Sequence, residues 1–240
     1  MKLSKAHCFF CSPYDQELHS KIENEILLNE FKPGSLWGFR LHSRRQHYLQ
    51  AVYIEKQILS EKITDPFGNI TEYERVTYHQ MDFQLSDCPP HILIFNPPRN
   101  YRKLLNQLAQ FTDYTVAIKN RSVSLFDWVE ILRKHDMNGI ITKANINPIK
   151  YDLNTNGRLS LTSHIDLTDR IVKLLSGTSY LIKNLKITFT ENLSIPDVEL
   201  YSNGKVVFSR PVEIDTFMLF YDTFYKLTSK TEQKHSVGAT

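Results

Sequence analysis

Every cysteine of the 240-residue chain falls in one of two short patterns, Cys8-Phe9-Phe10-Cys11 and Cys88-Pro89-Pro90-His91. A C-x2-C with a C-x2-H supplies the four thiolate and imidazole ligands that tetrahedral zinc takes. Cys8, Cys11, Cys88 and His91 are therefore the candidate metal set, and a structural zinc there would tie the amino terminus to the segment near residue 90. Against that stand the turns between the ligands. Phe9-Phe10 makes a poor knuckle, and Pro89-Pro90 offers no backbone N–H to a sulfur. The simpler reading is a pair of buried thiols on an apolar strand, with no cofactor bound. His7 and His19 are spare ligands that loosen any one choice.

Cations gather in two places with aromatic neighbours. Arg40, His42, Arg44, Arg45 and His47 lie beside Trp37 and Tyr48, and Arg99, Tyr101, Arg102 and Lys103 open a helix. Guanidinium and ammonium groups interleaved with rings suit phosphate and base contacts. The carboxy-terminal half adds Lys143, Lys150, Arg158, Lys183, Lys186 and Lys205, which alternation along strands would gather on one sheet face. The candidate nucleic-acid contacts are Arg40, Arg44, Arg45, Arg99, Arg102, Lys103, Arg158 and Lys205. The competing reading of each cluster is a solvated loop.

Enzyme motifs are weak. Phe95-Asn96-Pro97-Pro98 after an apolar strand resembles the N-P-P-aromatic motif of amino-methyltransferases acting on adenine. Arg99 replaces the stacking aromatic, and the glycine-rich cofactor loop and the strand–helix units that would hold an adenosyl group are missing. As structure, Asn-Pro-Pro-Arg ends a strand and starts a helix. Asp197, Glu199 and Lys205 do not form the acid-x-lysine core of a nuclease, and no phosphate-binding loop, nucleophile elbow or H-E-x-x-H occurs.

The elements that must position these groups are legible from periodicity. Ser12-Pro13-Tyr14-Asp15 reads as a helix start, with Ser12 at the N-cap, and Tyr14, Leu18, Ile22 and Ile26 give an apolar stripe ending before Pro33-Gly34. Residues 36–42 read as a strand. A long strand pair follows, with Val52 to Ile63 set against Tyr73 to Leu85 around Asp65-Pro66-Phe67-Gly68-Asn69. Residues 92–95 form a buried strand, and Tyr101 to Phe111 a helix face. Next come a strand at 115–118 and a helix at 124–135.

Beyond residue 140, Asp152–Thr162 aligns without gaps on Glu199–Ser209, matching acid, Leu, hydroxyl, Asn-Gly and base in order. An Asn-Gly tip satisfies the positive φ of a tight hairpin turn. Each window follows a strand and precedes an Ile-Asp that opens a helix, so the block reads as a βββα unit used twice. The fold expected is α+β, with antiparallel-rich sheets and helices on one face. Its divisions are a strand-rich subdomain at 1–96 with a leading helix, an α+β subdomain at 97–229 and a tail at 230–240.

Composition sets the outer limits. With 41% hydrophobic and 23% charged residues the chain is globular. The net charge of +3 is uneven, with 10 Lys+Arg against 12 Asp+Glu through residue 98 and 19 against 14 thereafter. No apolar run approaches the roughly 20 residues of a membrane span, and three cysteines fit a reducing cytoplasm. The expectation is a non-enzymatic, cytoplasmic subunit that binds nucleic acid, DNA or RNA, within a prokaryotic nucleic-acid-processing or antiviral defence assembly. The alternatives are a scaffold that docks a larger catalytic protein, through the strand-rich first half and the helix bearing Phe217, Phe220, Tyr221 and Phe224, and a metal-dependent enzyme.

Overall fold

The structure, a computed structural model, describes residues 2–152, 154–189 and 195–236, with side chains through residue 228. It is α+β, and its strands pair in antiparallel fashion in each register given below. The chain divides into two compact units. One comprises residues 11–118; the other joins residues 1–10 to residues 119–240. The division expected at Pro97-Pro98 thus differs from the compact units, which change at residue 118, and the first ten residues belong with the carboxy-terminal half. Among the described residues no helix is long and apolar enough to cross a membrane.

In the 11–118 unit, helix α1 (Gln16–Leu28) buries His19, Ile22, Glu23 and Ile26, one turn apart along a single stripe. Its N-cap is Asp15, whose carboxylate accepts from the Leu18 N–H at 2.8 Å. Ser12, read as the cap from sequence, instead closes strand β1 (Lys2–Ser12). An ionised carboxylate at a helix start adds charge to the capping bond, which favours Asp15.

Strands β2 (Trp37–Arg44), β3 (Tyr48–Thr64), β4 (Ile70–Ser86) and β5 (Ile92–Phe95) follow in spatial order. The β3–β4 register runs from Tyr48↔Ser86 to Thr64↔Ile70 without a slip. Asp65 fixes its tip by accepting from the N–H groups of Phe67 and Asn69 and from Asn69 Nδ2, each at 2.8 Å. Helix α2 (Arg102–Gln110) buries Leu104 and Leu108, and β6 (Ala117–Lys119) is short.

In the other unit the strand order is β1, β11 (Lys205–Glu213), β10 (Val198–Tyr201), β9 (Ser179–Thr188), β7 (Ile140–Lys150), β8 (Asn156–Thr162). Helices α3 (Leu125–Lys134), α4 (Thr168–Leu174) and α5 (Ile214–Ser236) complete it. Ser124 caps α3, Asp127 lies in its first turn and Arg133 and Lys134 in its last, which matches the helix dipole at both ends. The Trp128 ring packs tilted against Phe224, centroids 4.8 Å apart, and donates its indole N–H to Thr223 Oγ1 at 3.0 Å. Phe217, Phe220 and Phe224 are all buried, and Phe208 meets the first two edge-on. Three of the four aromatics expected to dock a partner, Phe217, Phe220 and Phe224, are therefore spent on this unit's own core, while Tyr221 is half-buried.

The duplicated βββα unit does not survive. The first block is β7, β8, α4, and only the second, β9, β10, β11, α5, has three strands. Asn203-Gly204 forms the tip of the second hairpin, with Gly204 at φ +80°. Asn156-Gly157 instead opens β8, paired with Lys150 and Ile149. Asp152 moves the turn upstream by accepting from the N–H groups of Asn154 at 2.8 Å and Thr155 at 2.7 Å. The tail read at 230–240 is also revised, since α5 runs to Ser236; residues 237–240 lie outside the described residues.

Candidate nucleic-acid interface

The sheet of the second unit has an apolar and a polar face. Ile141, Ala144, Ile146 and Ile149 of β7 and Ile182, Leu185 and Ile187 of β9 are buried. The residues between them form polar cross-strand rows. Lys143 stands between Thr162 and Lys186, and Asn145 between Ser160 and Asn184. The second row is bonded through, Ser160 Oγ donating to Asn145 Oδ1 at 2.7 Å and Asn145 Nδ2 to Asn184 Oδ1 at 3.0 Å. Arg158, exposed and two residues from Ser160 on β8, shares that face. Lys150 is exposed at the end of β7, and Lys183 is exposed beside Asn184.

Lys143 directly opposite Lys186 is an arrangement that like charges oppose. Asp197 relieves one of them, its carboxylate lying 2.6 Å from Lys186 Nζ. Lys143, Lys150, Arg158 and Lys183 have no ion-pair partner among the described residues. Lys205 is committed differently: its ammonium lies 4.7 Å from the Tyr201 ring, whose hydroxyl donates to Glu199 at 2.9 Å. Burial, then Glu199, push the Tyr201 phenol up to about 12.

Of the six amino-terminal candidates, Arg44 and Lys103 meet carboxylates, and Arg40, Arg45, Arg99 and Arg102 have no ion-pair partner among the described residues. Arg44 makes a two-pronged bond to Glu23, at 2.8 and 2.9 Å. His42 lies 3.3 Å from Asp82 and His47 2.9 Å from Asp87. Arg40 and Arg45 are exposed on β2 and in the turn after it. Lys103 meets Glu55 at 2.5 Å, while Arg99 and Arg102 are exposed at the start of α2. The eight residues read as one contact set therefore lie in both units, with Arg158 and Lys205 in one and the other six in the second. Lys143 and Lys186 join Arg158 on a single face, a grouping that strand alternation signalled.

The four-ligand metal set is not assembled: among the described residues no three His, Cys, Asp or Glu side chains are grouped to hold an ion. The backbone supplies a reason. Cys8 and Cys11 lie three residues apart on continuous strand β1, so their side chains leave opposite faces rather than closing a knuckle. Burial raises the Cys8 thiol and pushes Cys11 up to about 12. His91 Nδ1 accepts from the Cys11 backbone N–H at 3.0 Å, and Cys88 is exposed beside Asp87.

A polar cluster that the sequence did not announce surrounds His91. The Tyr14 ring packs 4.2 Å from it, and the Tyr14 hydroxyl lies 2.9 Å from His19 Nδ1. Burial lowers His19 and raises Tyr14, so both are neutral near pH 7 and form a part-buried hydrogen-bonded pair. Comparison of the chain with known protein families and with curated proteins finds no match.

Proposed function

We propose that this protein is a nucleic-acid-binding adaptor subunit that grips phosphates with the polar face of β7, β8 and β9. The observation that carries the reading is the Lys143–Lys186 opposition. Asp197 already offsets Lys186, so Lys143 opposite it and Arg158 on the same face are the cations left to take an anion. Phosphate oxygens supply that anion, and the Ser160–Asn145–Asn184 row adds neutral donors and acceptors for sugar or base edges. Its three cysteines are free thiols, which supports a place in the reducing cytoplasm, within a nucleic-acid-processing assembly.

The test is fluorescence anisotropy of labelled single- and double-stranded DNA and RNA across a salt series. Affinity is expected to fall linearly in log salt. Lys143→Glu with Arg158→Glu should weaken binding at least about tenfold and flatten the salt slope by about 2, one for each phosphate contact removed. Absence of binding at low salt, or indifference to the double reversal, overturns the reading.

A further inference from the structure

Past Glu55 and before Phe83 the β3–β4 hairpin is a ribbon of two strands, because β2 reaches no farther than Glu55 and β5 no farther than Phe83. Such a ribbon is marginal in water by itself. It nevertheless exposes eight large apolar side chains between Ile58 and Tyr78, including Phe67 at its tip, 90% exposed. Residues 55–79 hold five Asp+Glu against three Lys+Arg, an excess that repels phosphate. This surface suits protein.

The register sorts its side chains into two faces. On one face, successive rows are Lys56 opposite Tyr78, Ile58 opposite Val76, Ser60 opposite Glu74, and Lys62 opposite Glu72. Ile58, Val76 and Tyr78 are each about half exposed, at 46%, 45% and 54%. Lys62 and Glu72 pair with each other. Lys56 and Glu74 have no ion-pair partner among the described residues, and they lie in the rows on either side of Ile58–Val76. An unpaired cation one row inward and an unpaired anion one row outward from an apolar row make a self-complementary pattern.

We infer that this face is a homodimer contact, in which two ribbons cross antiparallel about a two-fold axis through the Ile58–Val76 row. The axis lays apolar row on apolar row and brings the Lys56 row of each copy onto the Glu74 row of the other, so the ion pair forms twice. A crossing of this kind buries on the order of 500 Å² per copy, below the roughly 800 Å² per partner of a standard interface, so a weak association, in the micromolar range, is expected. It is independent of the nucleic-acid reading.

Sedimentation velocity of the full chain from about 1 to about 100 μM spans that range. A concentration-dependent monomer–dimer equilibrium is expected. Ile58→Lys with Val76→Lys should raise the dissociation constant at least about tenfold, since charges then face each other across the axis. Ile63→Lys, on the opposite face, should leave it unchanged, and circular dichroism should show all variants folded. Lys56→Glu should weaken the dimer, and Lys56→Glu with Glu74→Lys should restore it. A monomer at every concentration, a dimer indifferent to the Ile58 and Val76 changes, a loss caused by Ile63→Lys, or failure of the charge swap to restore association each overturns the proposal.

Discussion

His7 shows how one buried side chain ties stability to pH. It is 4% exposed, 4.4 Å from the Phe9 ring, and its pKa is lowered from 6.5 to about 4 by burial and then by the nearby Lys205 charge. The folded state therefore holds His7 neutral, while the unfolded chain takes up a proton below about pH 6.5. Between those values the unfolded state binds more protons, so stability is fully present above pH 6.5 and is lost as pH falls toward 4. The loss is about 3 kcal/mol. Urea unfolding at a series of pH values should show it, and His7→Leu should flatten that slope. An unchanged slope in the variant would assign the acid sensitivity to other groups. Residue identity alone gave no sign of this, because a histidine in an apolar segment reads the same whether it meets water or a phenyl ring.

Elements were the most legible level, and the two Asn-Gly pairs mark the limit of that legibility. Both satisfy hairpin chemistry in sequence. Only Gly204 adopts the positive φ, at +80°, and a Cβ there would meet Phe224 Cζ at 2.8 Å. At Gly157, within β8, the added Cβ meets the ring of Tyr151, which is 62% exposed and free to swing away. Gly204→Ala should thus cost about 2 kcal/mol or more, through backbone strain and a clash in the core, and Gly157→Ala less than about 1 kcal/mol. Chemical denaturation of the two variants separates them, and equal costs would mean that both glycines serve as turn tips after all. The β3–β4 pair, by contrast, was read almost to its ends, because an Asp-Pro-x-Gly-Asn turn joins two β-rich runs and fixes where their register starts.

At the scale of the molecule, the chain closes one unit from both of its ends. β1 pairs with β11 from Lys2↔Glu213 to His7↔Lys205, and Leu3, Ala6, Cys8 and Phe10 are buried. Removing residues 1–10 should expose the β11 edge and forfeit about 4 kcal/mol of apolar burial, a large share of a typical domain's 5–15 kcal/mol. The chain shortened to residues 11–240 is therefore expected to lose the near-ultraviolet dichroism of Trp128 and the cooperative unfolding of this unit. A sharp transition matching the full chain would show β1 to be dispensable. The sequence by itself determined the helices, the long hairpin, the α+β class and the uneven charge, because those depend on periodicity, caps and turn residues that act within a few positions. Tertiary structure decided which strand completed which unit, which arginines and histidines met carboxylates, and which lysines were left facing one another. Those outcomes rest on contacts between residues far apart in the chain, such as Glu23 with Arg44 or Lys143 with Lys186, and no local pattern records the distance at which two charges finally stand.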